Sequence, residues 1–96
     1  MSEEKILILN AVPDPNRRQT RPLAPGAVKI VFTWAEASRL ARSYIKKYDL
    51  QAAQWPDNQM ANMAGKMIAR VSYNGRVWDL NGVCLYDPVN DEGSVD

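Results

Sequence analysis

"VSYNGRVWDLNGVCLYD", residues 71–87, holds two Asn-Gly pairs with Trp78 between them. Asn-Gly takes up the positive φ angles that a two-residue type I′ hairpin turn needs. The stretch therefore reads as strand, turn, strand, turn, strand. Counting outward from Asn74-Gly75 sets Val71 opposite Trp78, Ala69 opposite Leu80 and Arg70 opposite Asp79. Counting from Asn81-Gly82 sets Trp78 opposite Leu85. Both counts place Met67, Ala69, Val71, Trp78, Leu80, Val83 and Leu85 on one face. Ile68, Arg70, Ser72, Val77, Asp79, Cys84 and Tyr86 fall on the other, and a one-residue slip would break both patterns together. The expectation is a three-stranded β-meander with Trp78 in the core and Arg70 paired with Asp79 across the strands.

Upstream of the meander, "DNQMANMAG" (57–65) offers a short helix capped by Asp57 and ended by Gly65. Trp55 precedes a proline and is expected to be extended. Thr33 with Glu36 three residues later has the capping-box pattern, which opens a helix over Trp34–Tyr48. At about 100° per residue, Trp34, Ala37, Leu40, Ala41, Tyr44, Ile45 and Tyr48 share one side of that helix; Arg39, Arg42, Ser43 and Lys46 share the other. "AVKIVF" (27–32) is rich in β-branched residues and reads as a strand. "EKILILNAV" (4–12) reads as a strand buried on both faces, with a helix as the alternative that so short a run leaves open. Between these two strands, residues 13–26 hold four prolines and a closing glycine, an irregular basic arm.

A chain of 96 residues builds one domain with a modest core, and 46% apolar with 24% charged residues is ordinary for a globular protein. No apolar run reaches the roughly 18 residues that a bilayer span needs. The start of the sequence is acidic and lacks a cleavage-site pattern, and the single cysteine, Cys84, forms no internal disulfide. The expected setting is the cytoplasm, with no membrane partner. There is no histidine, which removes the commonest general base and metal ligand. No phosphate-binding glycine loop is present. Asp79 and Cys84 are read as surface residues of the sheet. The expectation is therefore a protein without catalytic residues, metal or cofactor.

Charge gives the strongest pointer to function. Residues 15–47 carry eight Lys or Arg against a single acid, Glu36. Residues 88–96, by contrast, form an acidic tail with Asp91, Glu92 and Asp96. Arg39, Arg42 and Lys46 fall within an arc of about 60° on the helix, and the arm adds Arg17, Arg18 and Arg21. Such a surface suits an acidic protein or phosphates.

The layout of strand, basic helix and β-meander in under 100 residues resembles small phage and mobile-element inhibitor proteins, the anti-CRISPR proteins among them. The resemblance rests on size and layout and carries over no site residues. It implies a protein that acts by binding a larger machine rather than by catalysis. Many such inhibitors are acidic nucleic-acid mimics, whereas this chain has a net charge of +1.

Together these features predict an α+β domain, 1–96, with a mostly antiparallel sheet and the Trp34–Tyr48 helix on one face. Its expected role is a non-enzymatic binding module that engages a larger protein or ribonucleoprotein complex through Arg39, Arg42, Lys46, Arg17, Arg18 and Arg21. The alternative is a DNA- or RNA-binding accessory protein that places the same side chains on phosphates.

Overall fold

The structure, a computed structural model, describes residues 4–12, 25–56 and 58–89. Among them are six strands and one α-helix: β1 (Lys5–Leu9), β2 (Ala27–Val31), α1 (Trp34–Lys47), β3 (Asn58–Asn62), β4 (Met67–Val71), β5 (Val77–Asp79) and β6 (Cys84–Tyr86). A single 3₁₀ turn, Ala52–Gln54, lies between α1 and β3. The strands form one sheet in the order β2-β1-β3-β4-β5-β6, with every neighbouring pair antiparallel. β2 and β3 both run against β1, so they are parallel to each other, and α1 makes the crossover between them. The fold is α+β.

Helix α1 begins as its sequence directs. Thr33 is extended and its Oγ1 accepts the Glu36 N–H at 3.0 Å, while Glu36 Oε1 reaches back to the Phe32 N–H at 2.8 Å. The reciprocal bond thus lands one residue earlier than the usual capping box. Lys46 and Lys47 close the helix, where cations complement the negative end of its dipole. Its inner side carries Ala37, Ser38, Ala41 and Tyr44. These pack onto Leu7 and Leu9 of β1, Val31 of β2, Met60 of β3, Ala69 and Val71 of β4 and Val77 of β5, all buried. Leu50 and Trp55 close the end of this core. Trp55 is extended before its proline, as expected, and its Nε1 donates to the Val71 carbonyl at 3.2 Å.

The meander differs from the expected one in three ways. First, residues 58–62 are strand rather than helix, so the meander has four strands. Gly65 does end the segment, but as the close of a hairpin. Secondly, all three turns are three-residue loops rather than two-residue type I′ turns. Asn62, Ser72 and Asp79 each donate their N–H to the carbonyl four residues on, at 2.9 Å in every case; each in turn accepts the N–H of the glycine three residues on. Gly65, Gly75 and Gly82 sit at φ 85°, 89° and 84°, which makes each turn a β-turn closed by a glycine bulge. At two of the three turns the side chain at the first turn position supports this form, and at the β4–β5 turn Asn74 Oδ1 does so by accepting the Arg76 N–H at 3.1 Å. Asp79 Oδ1 accepts the N–H groups of Asn81 and Val83 at 2.8 and 2.9 Å. Asn62 Oδ1 accepts those of Ala64 and Lys66 at 3.0 and 2.9 Å.

Thirdly, the extra turn residue shifts the register by one, which turns every side chain of β5 over. Val71 pairs with Val77, and Arg70 with Trp78. Val77 is therefore the buried member of β5, and Trp78 lies on the face away from α1. Arg70 makes no pair with Asp79; its guanidinium stacks over the Trp78 ring at 5.6 Å. Leu80 and Val83, expected in the core, are exposed at the third turn.

β1 also departs from expectation, because only one side of it is covered. Leu7 and Leu9 are buried beneath α1, while Ile6 and Ile8 are half-buried on the far side. The register carries that far face across the sheet through Val28 and Ile30 of β2, Ile68 of β4 and Trp78 of β5. Trp55 and Met60 pack on the helix side. Met63 is exposed at the first turn.

Candidate functional surfaces

Three surfaces follow from this arrangement. The first is the outer side of α1, which the packed inner side holds rigid. Arg39 and Lys46 project from it into solvent. Arg42 is drawn partly aside. Its Nε donates to the Ser38 carbonyl at 3.3 Å, and its stem lies over Gly75, where a Cβ would meet Arg42 Cδ at 2.8 Å. Ser38 Oγ donates to the Gly75 carbonyl at 2.6 Å, so two helix residues clamp the β4–β5 turn. Of the expected site residues, the structure therefore brings Arg39, Arg42 and Lys46 together on one helix side. Arg17, Arg18 and Arg21 lie outside the described residues. Glu36, the helix's acid, is turned back to the Phe32 amide.

The second surface is a cleft of about 220 Å³ between α1 and β2, lined by Leu9, Pro25, Gly26, Ala27, Lys29, Leu40, Ser43, Tyr44, Lys47 and Tyr48. Tyr44 donates its hydroxyl to the Pro25 carbonyl at 2.7 Å and packs edge-on to Tyr48, ring centres 5.0 Å apart. Burial first, and then the neighbouring Tyr48, push the Tyr44 phenol above its ordinary pKa. Lys47 Nζ stands 5.4 Å over the Tyr48 ring. None of the lining residues is acidic. Neither Lys29 nor Lys47 is ion-paired among the described residues. The sequence marks both lysines as part of a basic stretch, but it gives no sign that they face one cleft. That depends on which strand lies at the sheet edge.

No family model, curated protein or solved structure matches this chain. Its own geometry is what bears on function.

The third surface is the sheet face away from α1, with Ile6, Ile8, Val28, Ile30, Ile68 and Trp78. Cys84 is exposed and its thiol donates to the Tyr86 carbonyl at 3.4 Å. Asp79 is occupied in capping its own turn. Among the described residues, no group of three or more Cys, Asp or Glu is placed to hold a metal ion. None of their helices is long and apolar enough to cross a membrane.

Proposed function

We propose that this protein is a non-enzymatic binding module that engages a larger protein or ribonucleoprotein complex through the outer side of α1, as an inhibitor or adaptor. Small phage and mobile-element proteins of similar size and layout work in this way. One observation carries the proposal: Arg39 and Lys46 stand on the solvent side of a helix whose other side is locked into the core, with Arg42 beside them and Glu36 turned away. A rigid helix side places charges at fixed spacing, which limits the entropy lost on docking. A protein partner is favoured over bare nucleic acid by the net charge of +1 and the pI near 7.8, low for a dedicated phosphate binder.

The test compares the wild-type protein with an Arg39→Glu/Lys46→Glu variant in affinity capture from host lysate, with and without nuclease. We expect a partner that survives nuclease and is lost in the variant. A partner retained by the variant overturns the helix surface. Recovery that vanishes with nuclease assigns the same side chains to nucleic acid. In that case, affinity should fall with salt by nearly one log unit per phosphate contact for each log unit of salt.

A further inference from the structure

We propose that the free edge of β2 adds an extended segment of a partner protein as a seventh strand, and that this segment alternates apolar and acidic residues. The site is separate from the outer side of α1 and goes beyond the function proposed above.

β2 is a terminal strand of the sheet, joined on one side to β1. Among the described residues its other edge is unpaired and presents backbone N–H and C=O groups in register for another strand. Such edges are commonly blunted by prolines, bulges, short length or charged side chains, lysine above all. Over Ala27–Val31, β2 has no proline or bulge and pairs with β1 without interruption across all five residues; its one charge, Lys29, lies on the helix side and selects against a basic guest. At the far edge of the sheet, β6 has three residues and an irregular register.

The two sides of β2 differ in chemistry, and the difference specifies the guest. Successive side chains of a strand point to opposite faces. On the face away from α1, Val28 and Ile30 are 66% and 52% exposed, and Phe32 just beyond the strand is 48% exposed. An added strand lying about 4.8 Å from β2 would set its own side chains beside these, and apolar ones would cover part of their exposed area. On the helix side, the guest's intervening side chains meet the cleft between β2 and α1. There Lys29 and Lys47 supply two cations, Ser43 a hydroxyl, and Tyr44 and Tyr48 an aromatic wall, without any acid in the lining. A carboxylate is the complement of that set, and a third cation would be repelled by it. The guest is therefore read as apolar–acidic–apolar, with main-chain bonds supplying affinity and the alternate side chains supplying selectivity.

The experiment uses the full chain and four labelled peptides in fluorescence anisotropy: Thr-Val-Glu-Val-Glu-Val-Thr, its counterpart with Lys in place of Glu, and the Glu peptide N-methylated at alternate amides in each of the two possible phases. We expect saturable binding of the Glu peptide, at least about tenfold weaker binding of the Lys peptide, and loss of binding in whichever N-methylated phase blocks the edge bonds. In Lys29→Glu/Lys47→Glu, which changes two exposed side chains, the order of the two peptides should reverse. Circular dichroism checks that this variant is folded. The reversal is the decisive result because an unfolded variant would bind neither peptide selectively. Four results would each overturn the proposal: no saturable binding of the Glu peptide up to about 1 mM, equal binding of both peptides, indifference to N-methylation in both phases, or an unchanged order in the variant. Self-association of the wild type that the Glu peptide does not disperse would give the edge to a second copy of the chain instead. Arg39→Glu/Lys46→Glu is expected to bind the Glu peptide as the wild type does. Failure at the β2 edge is thus separable from failure at the α1 surface.

Discussion

Gly75 carries two constraints at once. Its φ of 89° strains any residue with a Cβ, and a Cβ there would meet Arg42 Cδ at 2.8 Å. Gly82 has nearly the same φ, 84°, but nothing within 4 Å of its missing Cβ. Gly82→Ala should therefore cost about 1 kcal/mol, the backbone term alone. Gly75→Ala should cost more unless the Arg42 stem, which is flexible, moves aside. Urea unfolding of both variants measures the difference. Adding Arg42→Ala to Gly75→Ala should return the steric part, whereas equal costs for the two glycine variants would show that Arg42 does not bear on the turn. The Asn-Gly pairs announce both turns in the sequence. The contact with Arg42 does not show there, because 33 positions separate the two residues.

At the scale of the element, the register of β5 decides which side chain is core. Val77 is fully buried beside Val71, while Trp78 lies half-exposed on the open face, stacked with Arg70 and donating Nε1–H to Ser72 Oγ at 3.3 Å. Val77→Ala should cost about 2 kcal/mol through lost burial and the cavity left behind. Trp78→Ala should stay within about 1 kcal/mol despite the far larger side chain, because truncation there opens no buried cavity. Chemical denaturation ranks the two. The reverse order would restore the two-residue turns and the opposite face. The turn type was in fact signalled at two of the three turns by Asn62 and Asp79, each three residues before a glycine. A side-chain acceptor at the first turn position favours a β-turn that its own oxygen can close. The same signal recurs at Asn62–Gly65, where Asp57 and Gly65 read alone suggest the two ends of a helix. A strand made of Asn, Gln, Met and Ala has little β-propensity of its own, and pairing with β1 and β4 overrides it. Helix α1, by contrast, was legible throughout, because its cap and its faces are set by residues within one or two turns of each other.

On the scale of the whole molecule, Tyr44 ties α1 to the chain entering β2 through its bond to the Pro25 carbonyl. Its folded pKa is raised by burial and by Tyr48, so the neutral phenol is the form the fold favours. The stability this contributes is fully present below the unfolded phenol value and is lost as pH rises from about 10 through the folded value. Urea midpoints at about pH 8 and pH 11 should show a steeper alkaline loss for wild type than for Tyr44→Phe. Parallel losses would mean that Tyr44 titrates as it does in the unfolded chain.

Local chemistry determined the helix and its cap, the strands at 5–9 and 27–31, the existence of the two Asn-Gly turns and the α+β class. Each of these depends on residues close in sequence, where periodicity and hydrogen-bonding groups act directly. Tertiary structure alone decided the strand order, the covered face, the place of β2 at the edge and the meeting of Lys29 with Lys47 across one cleft. Those features follow from pairings between distant segments, which no pattern within one segment specifies.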